Sequence, residues 1–165
     1  MRNAERVGAA LLIAAMMGLL SIDRYSIAPA WLAGAIFPAI ILAMVVAAVS
    51  KSAFWHRVEL VVLWAAVVLG VICNAFNLWN VVNKLAFQSV KASTLFYTAL
   101  TIWVYNVVNF TLIYWLLDGG GPDVRNIGAT TYPDFDFPAI SDPKRVRPDW
   151  KPTLADYLFL GFTTS

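Results

Sequence analysis

Residues 58–79 have the sequence VELVVLWAAVVLGVICNAFNLW, and this stretch decides the fold of the chain. No side chain between Leu60 and Ile72 carries a charge, and Trp79 ends the stretch with an aromatic ring. A helix needs about 20 apolar residues to cross the roughly 30 Å hydrocarbon layer of a bilayer. The stretch therefore predicts a transmembrane helix that begins beside Glu59.

The composition of the whole chain is typical of a membrane protein. Of the 165 residues, 60% are hydrophobic and 13% are charged, and the mean hydropathy is +0.68. A soluble domain carries about 25% charged residues. Three further apolar runs, at 7–20, 31–49 and 94–117, predict three more spans. We therefore expect an all-α integral membrane bundle of four transmembrane helices over residues 1–117, with a partial C-terminal helix after it.

Each of the first two runs has a second interpretation. Residues 7–20 follow Arg2 and Arg6, and a short apolar run behind basic residues also suits a signal peptide with a cleavage site near residues 28–30. Because another apolar run follows at once, we expect an uncleaved helix. Pro38 predicts a kink in the second span, which is either a hinge or an irregularity that neighbouring helices satisfy.

Asparagines recur in the third and fourth spans. They are Asn74, Asn77, Asn80 and Asn83 in and after the third, and Asn106 and Asn109 in the fourth. A helix turns 100° per residue, so a row with a spacing of three winds around the helix and faces more than one neighbour. Hydrogen bonds between amide side chains join membrane helices at about 0.6–2 kcal/mol each. We predict a polar seam between antiparallel helices, and a polar pathway is the alternative.

From Asp118 the composition changes to a segment rich in Asp, Pro and aromatic residues. Residues 118–123 are DGGGPD, and the glycines predict a helix stop because Gly adopts the left-handed conformation at low cost. Six prolines exclude a long helix or a central strand, so we predict an irregular loop over 118–152. Its expected partner surface consists of Asp134, Phe135, Asp136 and Phe137. A metal site on the aspartates of this segment is the alternative interpretation, but their spacing does not match a calcium-binding loop.

The basic residues predict the orientation of the bundle. With the N-terminus inside, the cytoplasmic segments hold Arg2, Arg6, Lys51, Arg57, Arg125, Lys144, Arg145, Arg147 and Lys151, and the outer loops hold Arg24, Lys84 and Lys91. The positive-inside rule then places the N-terminus and the long loop in the cytoplasm. The basic group beside Trp150 also suits an anchor to anionic headgroups.

Few residues in the chain suit catalysis. Cys73 is the only cysteine and His56 the only histidine, which argues against disulfides, zinc sites and hydrolytic triads. We expect Cys73 to be a buried, reduced thiol. We expect no catalytic, cofactor or metal site, and the absence of a basic stripe argues against nucleic acid as a partner.

The last residues predict another helix. Residues 153–165 are TLADYLFLGFTTS, and Thr153 with Asp156 forms a capping box with Asp in place of Glu. An open apolar helix about ten residues long is too short to span a bilayer, so we expect the sequence to be a fragment that continues past Ser165.

Several motifs resemble a known family. They are WVYNVVNF at 103–110 with Tyr114-Trp115, DGGGP at 118–122, DFP at 136–138, and WKP at 150–152 with DYL at 156–158. Over about the last 60 residues the chain resembles uncharacterised bacterial multi-pass membrane proteins related to the domain of unknown function 1345. The resemblance implies a bacterial inner-membrane location and a further helix beyond Ser165, and it implies no reaction.

Two functional hypotheses follow. The first is a binding, assembly or structural role without catalysis, whose partners are the lipid bilayer, other membrane subunits or further copies of the chain. The second is a pore subunit of an ion channel or transporter, with Asn74, Asn77, Asn106 and Asn109 along the path. It draws on a similarity between residues 156–165 and the pore helix of two-helix ion channels, which ends in hydroxyl residues such as Thr163, Thr164 and Ser165.

Overall fold

A computed structural model of the chain describes residues 3–22, 30–50, 52–126, 134–135, 137 and 150–165. These residues form α-helices and one short 3₁₀ turn, so the all-α prediction is confirmed for them. The elements are α1 (Asn3–Ile22), α2 (Ala30–Val49), α3 (Ala53–Phe87), α4 (Ala92–Leu117), the 3₁₀ turn (Asp118–Gly120), α5 (Pro122–Asn126) and α6 (Leu154–Thr164).

Helix α3 is longer than the sequence predicts. The polar residues after Trp79 suggest a connection over 84–93, but α3 continues to Phe87 and only residues 88–91 separate it from α4. Residues 80–87 contain no glycine or proline, and polar side chains alone do not stop a helix. At about 1.5 Å per residue, the 35 residues of α3 extend about 52 Å, which exceeds the hydrocarbon thickness.

The four long helices close into a ring. Helix α2 packs against α1 and α3, and α4 packs against α3 and α1. Helices α1 and α3 run parallel, because Arg6 pairs with Glu59 near their starts and Met16 approaches Gly70 further along. Helix α4 returns antiparallel to α3, so one end of the bundle carries the starts of α1 and α3 and the end of α4.

Helix α6 runs back along α4 in the opposite direction. Its Tyr157 reaches Asp118 at the end of α4, and the rings of Phe162 and Trp103 lie 5.3 Å apart, about four turns before that end. The start of α6 follows the predicted capping box, since the Thr153 N–H donates to the Asp156 carboxylate at 2.7 Å.

A glycine allows α6 to approach α4 closely. A Cβ at Gly161 would lie 2.6 Å from Thr111 Oγ1 and 2.7 Å from the Val107 carbonyl oxygen. Contacts this short do not occur for real Cβ atoms, and a backbone carbonyl inside a helix has little freedom to move. Gly161 therefore sets the distance between the two helices.

We expect Gly161→Ala to lower the free energy of unfolding by about 1–3 kcal/mol, the cost of overpacking a close contact. The measurement is unfolding of the purified protein in mild detergent, by SDS titration or by heating. Gly18→Ala in α1 is the matched control, because no atom outside its own helix backbone and chain neighbours lies within 4 Å of a Cβ there. Equal stability of the two variants would contradict the close contact.

The long helices direct many apolar side chains outward. Two of them are long and apolar enough to cross a membrane by length and composition, over Arg57–Phe87 and Ala92–Gly120. Only 28% of the most apolar window of α3 is buried within the chain. Several large exposed side chains lie along it, among them Val61, Val68, Ile72 and Phe76. The predicted count of four spans remains a prediction.

Candidate functional site

Three consecutive glycines end α4 and reverse the chain. Gly119, Gly120 and Gly121 have φ values of 55°, 76° and 98°, which confirms the predicted glycine stop. Pro122 then begins α5, a single short helix within the segment that the sequence predicts to be irregular. Proline suits the first turn of a helix because no intrahelical bond needs its missing N–H.

This reversal brings Arg125 back onto the end of α4. Its guanidinium donates to the backbone oxygens of Trp115, at 2.9 Å, and of Asp118. The last carbonyls of a helix lack intrahelical partners and carry the negative end of the helix dipole. Arg125 therefore caps α4 with both hydrogen bonds and a positive charge.

Asp118 is fully buried at the centre of this region, with 0% of its surface exposed. Its Oδ1 accepts the backbone N–H of Asp134 and its Oδ2 accepts the Tyr157 hydroxyl, each at 2.5 Å. The Arg125 guanidinium lies 3.8 Å from Oδ2. A buried carboxylate is tolerated when it is paired and hydrogen-bonded in this way. We call Asp118, Arg125, Asp134 and Tyr157 the Asp118 cluster.

The cluster fixes part of the long loop. The Asp134 carboxylate accepts the Gly119 N–H at 2.7 Å, so Asp118 and Asp134 each bind the backbone of the other segment. The ring of Phe135 meets Tyr114 edge-on at 5.0 Å. Phe137 is 3% exposed and its ring contacts that of Tyr157 at 5.3 Å. Of the predicted partner surface, Phe137 is engaged within the chain, and Asp136 lies outside the described residues.

Tyr157 donates its hydroxyl hydrogen from inside this cluster. Burial, together with the hydrogen bond to Asp118, raises the pKa of Tyr157 above its usual value. A raised pKa in the folded state means that the contribution of the neutral phenol is present below the unfolded pKa of about 10 and is lost as the pH rises beyond it.

We therefore expect the docking of α6 to weaken in alkaline solution, above about pH 10. Hydrogen exchange or proteolysis of residues 150–165 measures the docking as the pH rises. Tyr157→Phe is the control, since it lacks the ionising group and is expected to show a weaker dependence on alkaline pH. The same alkaline loss in both proteins would assign the effect to another group.

A second buried ionic contact lies at the same end of the bundle. Arg6 of α1 donates to the Glu59 carboxylate of α3 through Nε at 2.9 Å and through Nη2 at 3.0 Å. Arg6 is 7% exposed and Glu59 is 0% exposed. Two parallel bonds between a guanidinium and a carboxylate form a strong and orientationally specific pair. This pair fixes α1 against α3.

The predicted polar seam contains one hydrogen bond between α3 and α4. Asn74 Nδ2 donates to Asn106 Oδ1 at 2.5 Å. Asn109 is 5% exposed and packs against Gly70, where a Cβ would lie 3.0 Å from its Oδ1. Among the described residues, the Oδ1 atoms of Asn74 and Asn109 are buried without a hydrogen-bond partner. The seam is therefore formed but incompletely paired.

The other predicted polar residues bond locally or lie beside the seam. Asn77 is buried and Asn80 is half-buried, whereas Asn83 donates to the Trp79 carbonyl of its own helix at 3.0 Å. The hydroxyls of Thr163, Thr164 and Ser165 donate to carbonyls one turn earlier in α6. These three hydroxyls therefore form hydrogen bonds within the last turns of α6. Within the described part of the chain, no three His, Cys, Asp or Glu residues gather closely enough to hold a metal ion.

Sequence reasoning missed both ionic contacts at the end of the bundle. It used Arg6 only in the charge count and as a basic residue before the first apolar run, Arg125 only in the charge count, Glu59 only as the start of a span, and Asp118 only as the start of a loop. Arg6 and Glu59 are 53 residues apart in the sequence. Asp118 and Arg125 are only seven residues apart, but the hydrogen bond that completes their cluster comes from Tyr157, 39 residues after Asp118. The one available signal was the cost of an ionisable side chain at the edge of an apolar run, which requires a partner.

No known protein family, curated protein or solved structure matches the chain. The resemblance to uncharacterised bacterial membrane proteins therefore stays a prediction.

Proposed function

We propose that the chain is an integral protein of the bacterial inner membrane with four transmembrane helices, α1–α4, and a cytoplasmic N-terminus. In this proposal it binds or assembles with other membrane subunits or with further copies of itself, and it catalyses no reaction. The observation that carries the proposal is the distribution of polarity. Apolar side chains of α3 face outward, whereas Glu59, Asp118 and Asn109 are buried and face other helices.

Apolar side chains outside and ionisable side chains inside are the reverse of the arrangement in a soluble protein, and they suit a lipid environment. Exposed apolar patches on soluble monomers rarely exceed a few hundred Å², because water penalises them. In hydrocarbon, ionisable side chains instead turn inward and pair with one another. The Arg6–Glu59 pair and the Asp118 cluster follow that pattern at one end of the bundle.

The Asp118 cluster supports a binding role more than a reactive one. Both oxygens of the Asp118 carboxylate are occupied and the side chain has no exposed surface, so a substrate has no access to it. The cluster instead holds Asp134 and Phe135 in place against α4. Residues that are held in place before binding lose less conformational entropy when a partner docks, which favours association.

The first experiment tests membrane placement and the partner surface together. Extraction of membranes with alkaline carbonate should leave the protein in the pellet. A photo-crosslinking residue at Phe135 should give one discrete crosslinked product in cells. The same residue at Phe87, which is exposed at the opposite end of the bundle, is the control. Equal crosslinking from both positions would contradict a partner surface at the loop.

A pore is the second candidate, and the unpaired oxygens of Asn74 and Asn109 favour it. Both residues lie within the predicted spans, where an acceptor without a donor is costly and often marks a pathway. The two candidates make different predictions for Asn106, which provides the seam's hydrogen-bond acceptor.

We expect Asn106→Leu to lower the free energy of unfolding by about 1–2 kcal/mol, because the bond to Asn74 is lost. Liposomes that contain the variant should be as tight to ions as those with the unchanged protein. Asn83→Leu is the matched control, since Asn83 bonds only within its own helix in the described structure. Ion flux that the unchanged protein supports and Asn106→Leu abolishes would instead favour the pore.

A further inference from the structure

Helix α6 lies beside the part of α4 that the proposed membrane placement puts inside the bilayer. The start of α6 bonds to the end of α4 through the Asp118 cluster. Further along, Gly161 lies against Val107 and Thr111 of α4. These two residues precede the last residue of α4 by ten and six positions, which is about 15 and 9 Å along a helix. Residues 158–164 therefore run alongside the inner part of a proposed span.

The side of α6 that faces away from α4 is apolar. Leu158, Phe159 and Phe162 are 40%, 58% and 55% exposed. At 100° per residue these three positions fall on one side of the helix, and the buried Tyr157 and Gly161 fall on another. An apolar face of this kind gains free energy when it leaves water. The face therefore calls for an apolar environment.

The polar groups of this segment are compatible with the same environment. Residues 157–165 include no charged side chain. The hydroxyls of Thr163, Thr164 and Ser165 donate to carbonyl oxygens within α6. Hydroxyls that bond to the preceding turn of their own helix do not depend on water for a partner. Neither a charge nor an unpaired hydroxyl hydrogen thus opposes the transfer of this segment into hydrocarbon.

The depth of α6 indicates what covers its exposed face. The 11 residues of α6 extend about 16 Å, about half of the roughly 30 Å hydrocarbon layer. Leu100 and Leu117 of α4 are also 45% and 50% exposed, so the apolar surface of this region is not confined to α6. At the depth of a span, lipid acyl chains occupy the space around a protein. Acyl chains are therefore the occupant that the contacts with α4 favour.

We propose that α6 enters the hydrocarbon of the membrane from the cytoplasmic side and lies there against α4, with Leu158, Phe159 and Phe162 in contact with lipid acyl chains. The Asp118 cluster holds the start of α6 at the membrane surface, and the loop that precedes α6 stays in the cytoplasm. The membrane-embedded part of the chain then includes a helix that does not span. The inference rests on the proposed membrane placement of α1–α4.

The test measures how often a nitroxide on α6 collides with oxygen, which concentrates in hydrocarbon, and with a nickel chelate, which stays in water. The full chain, with its only cysteine removed by Cys73→Ala, is labelled at Phe159→Cys or at Thr163→Cys. It is then placed in liposomes of phosphatidylethanolamine and phosphatidylglycerol. Both labelled positions are exposed, and both variants keep Tyr157 and Gly161, the buried residues that contact α4.

Two positions in the same Cys73→Ala background provide the references. Val68→Cys, exposed on the third span, is the lipid reference, and Lys151→Cys, exposed before α6, is the water reference. We expect the ratio of oxygen to nickel collisions at Phe159→Cys to exceed that at Lys151→Cys by about tenfold or more. The ratio at Thr163→Cys should be higher still, because this position lies about one turn deeper.

Each other outcome overturns a named part of the proposal. Nickel collisions at both α6 positions as frequent as at Lys151→Cys would place the face in water. Few collisions with either reagent would mean that another protein chain covers it. Equal ratios at the two α6 positions would mean a helix that lies flat on the membrane. A lipid-like result at Val68→Cys with any of these refutes only the insertion of α6, whereas a water-like result at Val68→Cys refutes the membrane placement itself.

Discussion

Replacing Glu59 by leucine should lower the free energy of unfolding by about 3–5 kcal/mol, the cost of breaking a buried ion pair from one side. The variant leaves the Arg6 guanidinium 7% exposed with neither of the carboxylate bonds that now satisfy Nε and Nη2. The loss of these two bonds favours entry of water into the bundle or movement of the start of α1 away from α3. SDS titration of the purified protein in mild detergent measures the loss.

The double variant Arg6→Met/Glu59→Leu tests whether the loss of stability comes from the broken ion pair or from the changed size of the side chain at position 59. Removal of both charges leaves neither charge of the pair without its opposite, so it should recover most of the stability that Glu59→Leu loses. Arg57→Gln, an exposed change two residues away, should alter stability by less than about 0.5 kcal/mol. If the double variant is as unstable as Glu59→Leu, the pair contributes little, and the size of the Glu59 side chain is what matters.

The helices could be predicted because the physics that forms them is local. An apolar run of sufficient length specifies α4, Thr153 and Asp156 specify the start of α6, and Gly119 specifies the end of α4. The end of α3 was mispredicted because the residues after Trp79 are polar without being helix breakers. Polarity suggested a loop, but helix propensity and the absence of glycine or proline decided the outcome.

The contacts between helices were only partly predictable. The sequence predicted hydrogen bonds between asparagines of the third and fourth spans without naming the pair, and Asn74 and Asn106 form one. The prediction was possible because amide side chains in two neighbouring spans need hydrogen-bond partners, and few other polar groups exist at that depth. The Asp118–Tyr157 bond joins residues on either side of a long loop, and no periodicity in the sequence relates them. The packing of α6 along α4, which no local pattern determines, brings the two residues together.

Opposite charges pair inside the structure at the end of the bundle that carries the start of α1. Arg6 pairs with Glu59 and Arg125 with Asp118. Because each pair joins two different segments of the chain, these contacts hold that end of the bundle together.

Replacing Asp118 by alanine should cost about 3–5 kcal/mol and should release α6 and the loop together. The substitution removes the buried charge opposite Arg125 and leaves the Tyr157 hydroxyl and the Asp134 N–H without their acceptor. A buried donor without a partner costs about 1–3 kcal/mol, and an unpaired buried charge costs more. Hydrogen exchange of residues 150–165, compared with that of α3, measures the release.

The regional pattern of exchange decides whether the cluster acts as a local latch. Release confined to α6 and the loop, with α3 still protected, means that the Asp118 cluster holds a separable segment against a stable four-helix ring. Tyr157→Phe, which removes one of the two hydrogen bonds to the carboxylate and keeps the ring, should give a smaller release of the same segment. Uniform loss of protection through α3 would contradict the latch, because Asp118 would then support the whole bundle through the end of α4.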